Sequence, residues 1–328
     1  MKILRLETGN VRGLADGAYD FSSRGQPRGL TVVVGPRASG KTSLLEAIVL
    51  AKESLGAYGL VPRTGAWLRA GAASGVLRAT FTLEPDEQAA AECPDVTVTI
   101  EIDLAPDAAL PRVAPAVRAL FERFAFDASV PKLEYFHDER SLGAGAPTTE
   151  ADERRLRPTR RADKYAGLLP AMTALSVQDG GRANEEAQRH GLLLADDRPD
   201  SLGHYRSAIA ELVPELRLLG AAPRAPGSAP QLGFANKDGV EVGAEGLSAG
   251  QRQGVLFAAT FARLGLARSI VLIDVPELHL HGADHESFLP RLVRLGGDNQ
   301  IIVATGSSAM IGSASREETL VLRRDGNR

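Results

Sequence analysis

The sequence predicts an α/β fold in two lobes with a helical insertion between them, and three observations carry that reading. A short β-branched apolar run, Leu30 to Val34, leads into a glycine-rich loop and then into Ser43 to Leu50, which reads as a helix. Two further apolar runs, Ser269 to Asp274 and Gln300 to Ala304, read as strands that follow helical stretches. Val76 to Leu83 and Val96 to Leu104 alternate with period two, the pattern of antiparallel strands. Together they describe a mixed sheet around the helix after the glycine loop, with antiparallel strands beside it.

Taken in order, residues 1–104 form the N-terminal lobe and open with a strand over Lys2 to Glu7. From 105 to 230 the pattern becomes mainly helical, as in Val113 to Phe124 and Ser201 to Leu219, with loops rich in Gly, Pro and charge. Residues 231–328 form the C-terminal lobe. It holds a helix over Ala249 to Leu264, another near Asp284 to Leu295, and a closing strand around Thr319 to Leu322. The whole 328-residue chain reads as one domain, long enough for a sizeable core. No internal repeat is present.

Composition excludes several classes. One cysteine rules out a disulfide framework, so a reducing cytoplasm is the compartment it implies. No apolar run approaches the length of a membrane span, and the first residues lack the apolar core of a signal peptide. A net charge of −3 means that the chain as a whole does not attract nucleic acid electrostatically.

The strongest chemical signal is Gly35-Pro36-Arg37-Ala38-Ser39-Gly40-Lys41-Thr42, a full match to the phosphate-binding loop, or Walker A, of P-loop NTPases. Its glycines let backbone N–H groups wrap phosphate oxygens, and the following helix, from Ser43, adds the positive end of its dipole. Lys41 is placed to bridge the β- and γ-phosphates and Thr42 to hold Mg²⁺, which predicts ATP and Mg²⁺ as ligands.

Further motifs narrow the class. Leu247-Ser248-Ala249-Gly250-Gln251-Arg252-Gln253, at the start of a helix, resembles the signature motif of ABC ATPases. Ser269 to His281, which runs Ile273-Asp274-Val275-Pro276-Glu277-Leu278-His279-Leu280-His281, resembles the Walker B segment of the OLD, RecF and SMC-like group. Asn10-Val11-Arg12-Gly13 is similar to the Asn-Phe-Arg-Gly turn after the first strand of that group. The resemblance covers the two lobes and hardly touches the middle. It implies an ABC-type ATPase head that closes into an ATP-sandwich homodimer or higher oligomer. Ser248, Gly250 and Gln251 would then hold the nucleotide of the opposite subunit, Arg12 would join the nucleotide site, and Asp274 would order the Mg²⁺ shell.

Two departures bear on chemistry. Where the family carries a catalytic Glu after the Walker B Asp, this chain has Val275, and where it carries the switch His, this chain has Gly306. Such groups contribute on the order of 10²–10⁴-fold each, so weak or absent hydrolysis is expected. Glu277 is the candidate for a displaced base. Arg37 also stands where the family usually has Asn.

These features predict a regulatory switch or scaffold for a separate effector protein, in antiviral defence or DNA maintenance. Two other readings stand beside it: an active DNA-repair ATPase of the RecF or OLD kind, and a purely structural ATP-binding scaffold. The insertion is too short and interrupted for the long coiled coils of SMC proteins. Its run from Glu153 to Lys164 holds six basic residues, Arg154, Arg155, Arg157, Arg160, Arg161 and Lys164, able to meet nucleic acid or an acidic partner; a solvated loop is the alternative. His279, His281 and His285 with nearby carboxylates have ligand chemistry for zinc. His-x-His is, however, routine in the resembled family, where it serves subunit contacts. Leu133 to Arg140 reads as a strand and loop leading into the helical part, roughly where a Q-loop is expected, but it holds no Gln.

Overall fold

The structure, a computed structural model, describes residues 1–59, 61–106, 108–143, 145, 149–190 and 200–323, with backbone alone for 182–190. In chain order the N-terminal part gives β1 (Lys2–Gly9), β2 (Gly17–Asp20), β3 (Ser22–Ser23), β4 (Gln26–Pro27) and β5 (Leu30–Val34). After α1 (Lys41–Leu55) come β6 (Gly75–Thr82), α2 (Pro85–Ala90), β7 (Thr97–Leu104) and α3 (Pro115–Glu122). The middle holds β8 (Leu133–Phe136), α4 (Glu150–Leu156), α5 (Leu168–His190), α6 (Gly203–Leu212) and β9 (Leu216–Pro223). The remainder is β10 (Pro230–Asn236), β11 (Glu241–Gly243), α7 (Ala249–Leu264), β12 (Ile270–Asp274), α8 (His285–Val293), β13 (Gln300–Ala304), α9 (Ser308–Gly312) and β14 (Thr319–Val321).

Parallel and antiparallel pairing are sorted into separate sheets. The central sheet, in the order β14-β5-β13-β12-β8, is parallel throughout. A second sheet, β2-β1-β6-β7, is antiparallel. Between them lies α1, which is why its apolar residues surround it: Leu44, Leu45, Ala47, Ile48, Leu50 and Ala51 are all buried. A helix apolar all round must be enclosed on all sides. On the other face of the central sheet pack α6, α7 and α8, closing a second core.

Period two along β12 decides which residue faces which layer. Ile270 and Leu272 join the core around α1, while Val271 and Ile273 join the core around α7. Asp274 therefore points to the α1 side. The α7 face is held by aromatic contacts: the Phe257 ring lies 4.6 Å from Phe136 and 5.3 Å from Phe288.

The middle of the chain departs from its expected helical character. Ser201 to Leu219 divides into α6 and the strand β9, because Pro214 disfavours helical geometry at Val213, which sits at φ −130°. The boundary at 230 cuts the hairpin β9–β10, and β8 belongs to the central sheet rather than to an insertion. The strand expected from Leu133 is present, but strand order in that sheet is not sequence order, so no local pattern assigns β8 to the central sheet.

Phe257 is fully buried at the junction of α7, β8 and α8. Phe257→Ala is expected to cost about 3–5 kcal/mol through lost burial and the cavity left behind. A fall in the urea-unfolding midpoint measures it; an unchanged midpoint would mean that α7 does not depend on this contact.

Candidate functional site

The nucleotide-loop residues gather at the carboxyl edge of the parallel sheet, where ligands of open α/β sheets bind. Gly35 to Gly40 connect β5 to α1, and Lys41 opens the helix. Gly40 is left-handed at φ 89°, and a Cβ there would lie 1.9 Å from the Gly13 carbonyl oxygen. Gly13 is left-handed too, at φ 69°, and its own Cβ would meet Ser43 Oγ at 2.5 Å. The turn Asn10 to Gly13 and the phosphate loop thus interlock through two glycines that admit no side chain. Arg12 rides on this turn, its guanidinium 4.3 Å from the Trp67 ring centroid and 3.8 Å from Glu46.

Lys41 Nζ donates to the carbonyls of Gly35 and Pro36, at 2.9 and 3.0 Å, so the ammonium is folded over the loop. Ser39 Oγ is buried without a hydrogen-bond partner. Arg37 and Ala38 are exposed, and Ala38 adopts φ 59°. Thr42 Oγ1 donates to Asp274 Oδ2 at 2.7 Å, which joins the start of α1 to the end of β12 directly. A hydroxyl and a buried carboxylate in contact form a hard-oxygen pair of the kind that suits Mg²⁺. Burial pushes the Asp274 carboxyl up to about 6, partly opposed by the Thr42 hydrogen bond.

Beyond Asp274 the chain turns sharply. Val275 sits at φ 48°, a strained conformation for a β-branched residue, and its N–H donates to the Ala304 carbonyl at 2.9 Å. Glu277 does not reach Thr42 or Asp274 by any hydrogen bond among the described residues. Its carboxylate accepts from Thr305 Oγ1 and from the Gly306 N–H, both at 2.8 Å. His285, from the start of α8, shares a hydrogen bond of 2.9 Å with Ser307. The loop after β13 is therefore occupied by Glu277 and flanked by an imidazole from another element.

The signature residues lie apart from the phosphate loop. Ser248 caps α7 by accepting from the Gln251 N–H at 3.2 Å, while Gln251 accepts from the Ser248 N–H at 3.0 Å, a complete capping box. Ser248, Gly250 and Gln251 line a cavity of about 360 Å³ with His279, His281 and Arg291, and no phosphate-loop residue borders it. A Cβ on Gly250 would stand 3.2 Å from the His279 carbonyl, so this glycine lets the turn after β12 approach α7. Another cavity, of about 870 Å³, lies between α5 and β10 and also excludes the phosphate loop. The motif geometry, not cavity size, locates the chemistry.

Sequence reasoning missed Arg140. Only 2 % exposed, it donates to the carbonyls of His137, Asp274 and Val275 and to Gln253 Oε1. One arginine in a loop carries no local signal that it will be buried. At the expected Q-loop place stands His137, which burial and the cations Lys164 and Arg160 hold neutral down to about pH 4.

The basic run is a correction. Arg157 and Lys164 are buried, not at the surface: they pair with Glu134, at 3.5 and 3.0 Å, in the middle of β8. Glu134 is itself fully buried, so its charge demands partners, and the run supplies them. Arg160 bridges Glu46 and Asp138, Arg161 pairs with Asp163, and Arg154 donates to the Tyr58 carbonyl. Most of this run ties the middle of the chain to the core.

No protein-family model matches the sequence, and no curated protein matches it significantly. Solved structures do match. A crystal structure of an Smc head bound to the C-terminal winged-helix domain of ScpA aligns with 99% of this chain and 96% of its own length, at TM-score 0.57 and 17% identity. The Smc head with an extended coiled coil from Pyrococcus furiosus, bound to the C-terminal domain of ScpA, aligns over 98% and 94%, at TM-score 0.55 and 14% identity. This chain has the fold of an SMC head, an ABC-class ATPase head. No helix among the described residues is long and apolar enough to cross a membrane.

Because the Asp274 carboxyl is raised from 3.8 to about 6 in the folded chain, the native state holds a proton there that the unfolded state has released. Stability from this group is present below about pH 4 and is lost as pH rises through about 6. Without metal or nucleotide, Asp274→Asn is expected to gain stability over wild type between pH 4 and pH 7, by on the order of 2–3 kcal/mol. Urea unfolding at both pH values checks it; an equal difference at each pH would contradict it.

Proposed function

We propose that this chain binds Mg²⁺·ATP and closes into an ATP-sandwich dimer, acting as a regulatory switch for a separate effector protein with weak or absent hydrolysis. The observation that carries this reading is a contrast within one site. The groups that hold phosphate and metal are in contact, Thr42 Oγ1 to Asp274 Oδ2 at 2.7 Å, while the groups that would activate water are replaced or engaged elsewhere. Valine cannot accept a proton, glycine has no side chain, and both Glu277 oxygens already accept hydrogen bonds from the loop after β13. A general base must reach the attacking water, and Glu277 is held instead against the loop after β13.

The sandwich is supported by separation. Ser248, Gly250 and Gln251 face a cavity that shares no residue with the phosphate loop, so two heads facing each other in antiparallel fashion would bring one loop against the other's signature helix. A helix N-terminus, with the positive end of its dipole, is a ready partner for a γ-phosphate. Partner binding is supported by the solved heads, each of which carries a domain of another protein. Defence or DNA maintenance is the setting that fits an ATP-gated head without an effector activity of its own. Arg155, Arg160 and Arg161, which keep exposed surface, are the groups of the basic run left for nucleic acid.

The test is ATP turnover with Mg²⁺, measured beside Lys41→Ala and Val275→Glu with oligomeric state recorded in the same samples. Wild type is expected to be nearly inert and to dimerise with ATP. Lys41→Ala should lose at least about tenfold in ATP affinity, equivalent to ~1.4 kcal/mol. Val275→Glu should raise turnover at least about tenfold, the lower part of what a placed base contributes. Brisk wild-type turnover abolished by Glu277→Ala would overturn the switch reading and make Glu277 a working base.

A further inference from the structure

We propose that Arg140 is a positioning residue that couples the start of α7 to the end of β12, so that the state of Asp274 is felt at Ser248 to Gln251. The proposal rests on the ATP-binding reading of the site and adds a route inside one subunit by which the nucleotide loop and the signature helix communicate.

The geometry is specific. Arg140 Nη1 donates to the carbonyls of His137 at 2.9 Å and Asp274 at 2.7 Å, and Nη2 donates to the Val275 carbonyl at 2.8 Å. Nε turns the other way, to Gln253 Oε1 at 2.9 Å, and Gln253 Nε2 returns a bond to the Arg140 carbonyl at 3.3 Å. The guanidinium carbon lies 4.9 Å from the Phe257 ring centroid, one turn further along α7. A planar fork with donors on opposite edges can span β12 and α7 at once; a lysine ammonium, donating from one point, cannot. Among the described residues Arg140 has no carboxylate in ion-pair range, so its buried charge is held by aligned carbonyl dipoles and by the Gln253 side-chain oxygen. Those acceptors belong to three segments: the loop after β8, the end of β12, and α7.

The held segment is also the strained one. Val275 keeps its left-handed φ of 48° because its carbonyl is gripped by Arg140 and its N–H by Ala304. Strained residues of this kind persist only where the surroundings over-determine them. When Asp274 exchanges its Thr42 partner for a cation, any shift of the Asp274–Val275 peptide moves the Arg140 fork. The fork in turn moves Gln253, two residues past Gln251 in the first turns of α7. Gly250 against the His279 carbonyl is a second contact between the same turn and α7, so removing Gln253 alone isolates the Arg140 route.

The experiment is hydrogen–deuterium exchange over 249–256, with and without Mg²⁺·ATP, in wild type, Gln253→Met and Arg140→Lys, with ATP affinity and oligomeric state measured alongside. Gln253→Met removes the link from the α7 side and leaves the carbonyl clamp in place. Wild type is expected to show about tenfold slower exchange with nucleotide, within the usual range of coupling between sites. Gln253→Met should bind ATP within about threefold of wild type yet slow by less than about twofold, a split that general destabilisation would not give. Arg140→Lys should lose the response and also weaken ATP binding; if it fails to fold, Gln253→Met decides alone. Retained protection in Gln253→Met, or no protection in wild type despite ATP binding, overturns the coupling. If wild type fails to dimerise but still shows protection that Gln253→Met loses, the sandwich reading falls and the Arg140 route stands.

Discussion

The ladder between β12 and β13, running in register from Ile270–Gln300 to Asp274–Ala304, is the interaction to which the rest of the site is referred. Because the pairing is parallel, and because β5 joins β13 and β8 joins β12 in the same sense, four loops leave the sheet at one edge. The phosphate loop follows β5, the Val275 turn follows β12, Thr305 follows β13 and His137 follows β8. An antiparallel neighbour at any of these places would have sent its loop to the far edge. The same ladder positions side chains: with Ile270 and Leu272 committed to the α1 core, Asp274 has to face α1 and meets Thr42 there.

Much of this was legible before any coordinates. The span of α7, Ala249–Leu264, follows from a Ser cap, a Gln three residues later and a glycine at the end, and the structure has those bounds. The strands β5 and β13 also keep their expected limits, since a β-branched run ended by a glycine loop or a polar turn admits few other readings. The fold class follows from the order of motifs. What stayed hidden depends on contacts between distant residues. β8 is four residues long and becomes a core strand only through β12, more than a hundred residues later. The run around Arg157 and Lys164 reads as a polar surface because Glu134, the charge that draws it inward, sits within an otherwise apolar strand. The break between α6 and β9 was readable from Pro214, a signal outweighed by the leucines on either side of it.

Electrostatics and stability pull against one another at the site. A buried carboxylate, Asp274, is kept in a place where its charged form is disfavoured, and a buried cation, Arg140, is held without an ion-pair partner among the described residues. Neither would be chosen for stability alone. Other interior charges are paired, Glu134 with Arg157 and Lys164 and Glu53 with Lys52, while buried Lys132 is held by the carbonyls of Asp127 and Val130. Both Asp274 and Arg140 lie at the edge where phosphate and metal chemistry would be carried out, which is a usual place for such cost.

The position of β13 has a consequence for biosynthesis. Among the described residues β5, the strand that leads into the glycine loop, pairs in the sheet with β13 and β14 alone, and both lie beyond residue 299. The first strand is tied to the same region, since Ile3 exchanges two hydrogen bonds with the Gln300 side chain. On the ribosome, then, the N-terminal lobe emerges with one side of α1 bare, and it stays so until residues 300–304 have been translated. A head of this design cannot ripen domain by domain from its N-terminus. The loop after β5 acquires its floor only once β13 has been made, and a chain cut before residue 300 would expose an apolar helix to chaperones.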